Sequence, residues 1–391
     1  MIDLDHNATT PLDARVRAAM IELLGDPSLD GNPSSVHGRG RRARAVVEDA
    51  RRSVAAAVGA EPLGVTFTSG GTEADALAIL GTCRALRQAG RPCALASSKL
   101  EHPAVRGAGE LLAREGIPQV FVPFDEHGRI EAAAVVETLR AHPEVGLVSL
   151  ATANNELGNV YDIAGIVAAV RGLPGRELLV HSDAVQAFGK YPVDFAAADL
   201  DLMSVSSHKI HGPKGVGALI HRPHLRIDPL WIGGSQERGR RVGTEAVPAI
   251  HGFGVAAGLV AAELDQRRAH VAELHAQLLA GLAEVAPGHL RYGDPDRHLG
   301  NTALVGFPGC PGELLLMNLD LEGVAVSTGS ACNSGKFAAS KVLLTLLGEG
   351  PGASEALRFS LGKDNSAAEI ARVLALLPGI VARVREERGC A

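Results

Sequence analysis

Several short segments place reactive or anion-holding side chains where an apolar run hands over to a helical pattern. Ser69-Gly70-Gly71-Thr72-Glu73 follows the run Val65–Thr68. Its two glycines let backbone N–H groups approach an anion, and the Thr72 hydroxyl adds a donor. No Gly-Lys-Ser/Thr follows, so it is not a P-loop. Ser206-Ser207-His208-Lys209 closes another apolar run. A lysine at a sheet edge, among hydroxyls, histidine and glycine, suits an amine that attacks a carbonyl. His181-Ser182-Asp183-Ala184-Val185-Gln186 offers a carboxylate able to hold a positive charge; Glu101-His102-Pro103 offers an imidazole; Asn154-Asn155-Glu156 offers amides. Each alone has a plainer reading: a capped turn at Thr72, a surface lysine at 209, a helix N-cap at Asp183, a turn histidine at 102.

Jointly the plain readings fail. Successive strand ends supply an anion cradle, a ring-stacking group, an acid and an amine, which are the parts pyridoxal phosphate requires. A further candidate is Cys332, in Ser327-Thr328-Gly329-Ser330-Ala331-Cys332-Asn333-Ser334-Gly335-Lys336. Small polar residues of this kind predict a mobile loop, which suits a thiol that attacks and then carries sulfur away.

The elements that must position these residues follow from periodicity. Val65–Thr68, Ala94–Ser97, Val120–Pro123, Gly146–Ala151, Leu178–Ser182, Leu202–Ser206 and Gly217–Ile220 read as strands, apolar enough to be covered on both faces. Glu73–Ala89, Ala104–Glu115, Glu131–Ala141 and Ile163–Arg171 read as the helices between them. That alternation predicts an α/β domain. A long helix over about Pro248–Ala286 leads into a smaller α+β region with strands at Thr302–Val305, Val324–Val326 and Leu357–Ser360 and a last helix over Ala367–Glu386. The arginines at 39, 41, 42, 44, 51 and 52, interleaved with Glu48 and Asp49, read as a solvated helix face.

Composition narrows the function classes. Of 391 residues, 46% are hydrophobic and 21% charged, as in a packed globule. A formal charge of −6 argues against non-specific phosphate-backbone binding, and 3% aromatic residues against base stacking, so no nucleic-acid partner is expected. The five cysteines form no C-x-x-C pair, so neither a metal site nor a disulfide framework is expected, and a reducing cytoplasm fits. Asp3 and Asp5 leave no secretory n-region. The longest uncharged stretch, Ala246–Ala262, contains Pro248, His251 and three glycines and reads as a buried helix rather than a membrane span.

The chain resembles the cysteine desulfurases of the nitrogen-fixation and iron–sulfur-assembly type, within the class V aminotransferase group of fold-type I pyridoxal phosphate enzymes. The resemblance runs from Leu4-Asp5-His6-Asn7-Ala8-Thr9-Thr10-Pro11 and Gly31-Asn32-Pro33-Ser34-Ser35 through the segments above to Arg241-Val242-Gly243-Thr244-Glu245 and Ser330-Ala331-Cys332. It implies a large domain over residues 15–260 with a mainly parallel seven-stranded sheet, and a small domain of residues 1–14 and 261–391 carrying a catalytic-cysteine loop at about 327–340. It also implies roles. Lys209 is the covalent anchor of the coenzyme, Asp183 pairs with its ring nitrogen, His102 stacks on the ring and moves protons, and Gln186 bonds the ring hydroxyl. Gly71, Thr72, Ser206 and His208 hold the phosphate, with Thr244 reaching it from the second subunit of a homodimer. Asn155, Arg358 and Asn32 meet the substrate, L-cysteine, whose sulfur becomes a persulfide on Cys332 before passing to an acceptor such as an iron–sulfur scaffold. On residue type alone Arg358 reads as a surface cation on an edge strand. Ala339 and Lys341 depart from the proline and histidine usual around Ser340 in this family. A selenocysteine lyase, another class V C–S lyase or aminotransferase, and a non-enzymatic scaffold homologue are the rival readings.

Overall fold

A computed structural model describes residues 1–328 and 339–387. Seven apolar runs form its central sheet: β1 (Val65–Thr68), β2 (Ala94–Ser97), β3 (Gln119–Phe121), β4 (Val145–Ala151), β5 (Leu179–Asp183), β6 (Leu202–Ser206) and β7 (Gly217–His221), in spatial order β1-β7-β6-β5-β4-β2-β3. β7 runs antiparallel to both its neighbours, and all other pairings are parallel. β4 is buried at every residue. Helices cover both faces, so these strands carry apolar side chains without alternation. Each fully buried Val or Leu here contributes roughly 1.5–3 kcal/mol of transfer free energy.

The helices are α1 (Ala14–Leu24), α2 (Gly38–Ala57), α3 (Gly71–Ala76), α4 (Thr82–Gln88), α5 (Pro103–Arg114), α6 (Ala132–Ala141), α7 (Ile163–Arg171), α8 (Val247–Val285), α9 (Gly312–Leu321), α10 (Lys341–Leu347) and α11 (Ala367–Glu387). A π turn at Leu77–Gly81 joins α3 to α4, within the region expected as one helix. α2 buries Ala43, Val47, Ala50 and Val54, a stripe at helical spacing, against the sheet core. Gly254 on α8 lets the two helices touch: a Cβ there would stand 2.6 Å from the Ala50 Cα. The expected solvated arginine face holds except at Arg51, which is 3% exposed.

α8 has the length and apolarity of a membrane span by composition alone. Its residues are instead divided between two cores. Ile250, Phe253, Ala257 and Val260 pack with the central sheet, whereas Leu274, Leu278 and Leu282 pack with Phe307, Leu315 and Phe359 of the C-terminal region. That second core sits on a three-stranded antiparallel sheet in which β9 (Thr302–Gly306) lies between β8 (Leu290–Tyr292) and β10 (Ala356–Ser360). The chain's start joins it: Ile2–Asp3 pairs with Val324–Ala325, and Leu4 is buried in the same core.

Candidate active site

The parallel strands deliver their C-terminal ends to one edge of the sheet, where ligands of open α/β sheets bind. A cavity of about 320 Å³ lies there. Its floor and walls include Gly71 and Thr72 at the start of α3, His102, Asn155, Asp183, Gln186, Ser206, His208, Lys209 and Arg358. Local sequence explains the cradle. Gly71 lies against Val185, and a Cβ on it would meet the Val185 Cγ2 at 2.7 Å. The Ser69 N–H is already used by the Glu73 carboxylate at 2.7 Å, so the helix-opening N–H groups of Gly71 and Thr72, which lack intrahelical acceptors, remain for an anion. The Ser206 Oγ, in the same cavity lining, is buried with no hydrogen-bond partner among the described residues.

Lys209 ends a 3₁₀ turn, Ser207–Lys209, directly after β6. Its Nζ donates to the main-chain oxygens of Asn7 and, at 2.8 Å, Ala8. Asp183 closes β5 and accepts the Val185 N–H at 2.9 Å. Burial pushes its carboxyl up to about 6, against the pull of that hydrogen bond and of Lys209. A cation placed on Asp183 would relieve this penalty, and a protonated ring nitrogen is such a cation. His102 is the N-cap of α5, its Nδ1 accepting the Ala104 N–H at 3.1 Å. Burial, then the charges of Lys209 and Arg106, pushes its imidazole down to about 4, so it is neutral at pH 7. The same causes, burial and then Lys209, Lys190 and Lys214, take His208 down to about 4. The anion cradle, the Ser206 hydroxyl, the buried acid and the amine thus fit pyridoxal phosphate.

On the opposite wall Arg358 is 2% exposed, which corrects its reading as a surface cation. β10 is an edge strand of its own sheet, but the chain's N-terminal segment covers that edge through hydrogen bonds between Leu4, His6 and Ser360. The guanidinium donates to the Asn155 main-chain oxygen at 3.0 Å and to the Asp5 carboxylate at 2.7 Å. Its Nε has no partner among the described residues. Ser327 pairs through its backbone with Arg358. Ser340 caps α10 and donates its hydroxyl to Glu156. Lys341 faces solvent and Ala339 packs in the cluster around Leu100 and Leu157, so both departures from the family pattern leave the Ser340 contacts in place.

Cys332 lies outside the described residues. Two expected site residues do not reach the cavity of their own chain. Thr244 is exposed on the segment before α8, and Asn32 is exposed, its side chain accepting the Ser34 N–H at 2.8 Å. Gln186 lines the cavity, but its amide is engaged at both ends, by the Asn7 main-chain oxygen at 2.9 Å and by Lys190 at 2.6 Å.

Residue-by-residue reasoning missed the hub of the site. Asn7 donates to Thr302 Oγ1 at 2.8 Å, accepts Lys190 at 2.9 Å and Asn301 at 3.1 Å, and bonds Gln186 and Lys209 through its main-chain oxygen. It stands in the quoted Asn7-Ala8-Thr9-Thr10 string, the one signal that could have marked it. Lys190, whose ammonium burial drives well below the usual lysine range, carries no local signal at all.

Comparison with known proteins gives a consistent picture. The family model described as aminotransferase class-V matches residues 2–373. A protein named cysteine desulfurase from Rhodobacter capsulatus is 41% identical over 387 residues, covering 98% of this chain and 97% of its own. A solved structure titled NifS-like protein superposes with a TM-score of 0.89 at 32% identity, covering 97% of this chain and 99% of that one. Another, titled SspA in complex with cysteine, superposes with a TM-score of 0.79 at 28% identity over 94% of this chain and all of that one.

Proposed function

This chain belongs to the aminotransferase class-V family, and on that premise we propose that it is a pyridoxal-phosphate-dependent cysteine desulfurase of fold-type I. It takes L-cysteine to L-alanine and a persulfide on Cys332, from which sulfur passes to an acceptor protein for iron–sulfur cluster or other sulfur-cofactor assembly. The observation that carries this reading is the single cavity bordered by Lys209, Asp183, His102 and Arg358 with the cradle at Gly71, Thr72 and Ser206.

Lys209 is the covalent anchor; Asp183 holds the ring nitrogen, and the cradle with His208 takes the phosphate. When bound, pyridoxal phosphate supplies an electron-withdrawing ring that weakens the bonds at the substrate α-carbon. The residues supply the rest. Arg358 and Asn155 orient the cysteine carboxylate. The Lys209 amine, once released, takes the α-proton. The neutral His102, in the cavity lining, would stack on the ring and move protons. The Cys332 thiolate forms an S–S bond with the substrate sulfur as the substrate C–S bond breaks; the electron pair of that bond stays with the β-carbon, and protons returned to the α- and β-carbons complete alanine.

The working unit in this reading is a cytoplasmic homodimer in which Thr244, and Asn32 with it, serves the neighbouring subunit. The exposed apolar side chains of Trp231 and Ile232, on the segment leading to Thr244, support a covered surface there. The domain division at about residue 260 belongs to the same proposal, supported by the change of core along α8 between Val260 and Leu274.

The test is a single-turnover incubation of the coenzyme-loaded protein with L-cysteine, followed by intact-mass measurement and peptide mapping. One added sulfur atom on Cys332, stoichiometric alanine, and loss of both products in Cys332→Ala with the yellow colour retained are the expected results. Full turnover by Cys332→Ala would remove the persulfide step.

A further inference from the structure

Asp75, on α3, is an acid that the reading above leaves without a task. It is 1% exposed, borders the cavity near Asp183, and its Oδ1 has no hydrogen-bond partner among the described residues. The groups that act on it are Asp183 at the end of β5, Glu101 before α5, and the Ser204 hydroxyl on β6. His181 on β5 stands behind them, its Nε2 3.8 Å from the Asp75 Oδ1, too far for a hydrogen bond.

Two carboxylates in one dry pocket cannot both ionise cheaply. Asp183 has what an anion needs, a backbone N–H donor and the attraction of Lys209. Asp75 has no cation beside it and one bare oxygen. Burial and the neighbouring Asp183 charge drive its carboxyl well above the usual range, against the pull of Ser204.

The Ser204 hydroxyl, which acts on Asp75, also belongs to a hydrogen-bond chain through His181 that makes the state of Asp75 readable. His181 is fully buried and burial pushes its imidazole down to about 3, so it is neutral and must exist as one tautomer. Its Nε2 bonds the Ser204 Oγ at 2.9 Å and its Nδ1 the Ser149 Oγ at 2.8 Å. Ser204 has a single proton to give. If Asp75 is ionised, that proton goes to Asp75 and His181 must present Nε2–H to Ser204. If Asp75 is the acid and donates its own proton to the Ser204 Oγ, Ser204 is free to donate to a bare Nε2 and His181 carries Nδ1–H.

We propose that Asp75 is a positioning residue acting through Asp183: it stays un-ionised, confines the pocket's negative charge to Asp183, and sets the His181 tautomer through Ser204. This deepens the assignment of Asp183 to the ring nitrogen and rests on it. The test uses the full-length protein labelled with ¹⁵N-histidine, with and without pyridoxal phosphate, the His181 signals being identified by their loss in His181→Asn. Wild type should show Nδ1–H through neutral pH. Asp75→Asn, whose amide can also donate to Ser204, should keep that tautomer and hold coenzyme affinity within about threefold, while Asp75→Ala weakens it by about tenfold as water replaces the carboxyl. A wild-type proton on Nε2 would overturn the proposal. So would an Asn variant that loosens the coenzyme as much as the Ala variant, even should the Ala variant fail to fold and the comparison be made with wild type alone. The underlying assignment fails separately: Asp183→Asn would then bind the coenzyme as tightly as wild type, whatever tautomer His181 adopts.

Discussion

Two buried arginines separate holding the molecule together from holding something else. Arg51 and Arg358 are 3% and 2% exposed. Arg51 has spent four of its five N–H donors: both terminal nitrogens meet the Glu237 carboxylate at 2.7 Å, one also meets the Val65 main-chain oxygen, and Nε faces Glu48 at 3.1 Å. The Phe67 ring lies under it at 4.9 Å. The pair pins a segment whose Glu237 and Arg238 adopt left-handed φ of 47° and 56°, a strain that persists only where surroundings overrule it. Arg358 lines the cavity and has one oxygen of Asp5, one main-chain oxygen, and an Nε with no partner among the described residues. A planar fork with most of its donors to spare is a carboxylate receptor; one with nearly all of them spent is a rivet.

Breaking the rivet should have the largest effect. Arg51→Met leaves the Glu237 carboxylate buried without its partner and should cost about 3–5 kcal/mol, read as a lowered denaturant midpoint, with activity per folded, coenzyme-loaded molecule retained. Adding Glu237→Met should recover much of the loss. A single variant as stable as wild type would erase the contrast.

Arg358→Gln should do the reverse. Loss of charge-assisted hydrogen bonds to the substrate carboxylate should raise KM for cysteine about 100-fold, equivalent to roughly 2–3 kcal/mol. Its denaturant midpoint should move little. A variant that unfolds readily yet binds cysteine normally would make Arg358 a second rivet.

The smallest effect sharpens the comparison through pH. Glu156 adjoins Asn155, takes the Ser340 hydroxyl and feels Arg358, yet burial pushes its carboxyl up to about 6. Its folded value exceeds its unfolded value of 4.5, so its stabilising contribution is complete below pH 4.5 and is lost as pH rises through about 6. Glu156→Gln should remove that slope, worth about 2 kcal/mol between those limits. His102 and His208 act with opposite sign: their neutral forms favour the fold above pH 6.5, and that contribution is lost as pH falls toward 4. Stability curves of the variant and wild type that stay parallel from pH 4.5 to 6 would deny Glu156 this role.

Much of this was legible beforehand. Strand runs at Val65–Thr68 and Leu202–Ser206 match the sheet residue for residue, since each is buried along its whole length and is followed by turn-forming residues. Lys209 and Asp183 were legible because each terminates such a run. Helix α1 and the short strand Leu290–Tyr292 passed unmarked; α1 buries only Val16 and Leu23, and the strand is exposed or half-exposed along its length. Asp75 reads as one more acid on a helix, and Lys190 and Arg51 as ordinary surface charges, since type and spacing carry no record of burial.

Local chemistry along the chain was therefore enough to name most elements of the central sheet, the cradle at Gly71 and Thr72, and the Lys209 amine and Asp183 acid. What folding in three dimensions decided is which charges lost their water. Arg358 meets Asn155 and Asp5 across 203 and 353 residues of chain, and Asn7 reaches Thr302 across 295. Desolvation acts through distance in space, not along the backbone, and it turns identical side chains into a rivet in one place and a receptor in another.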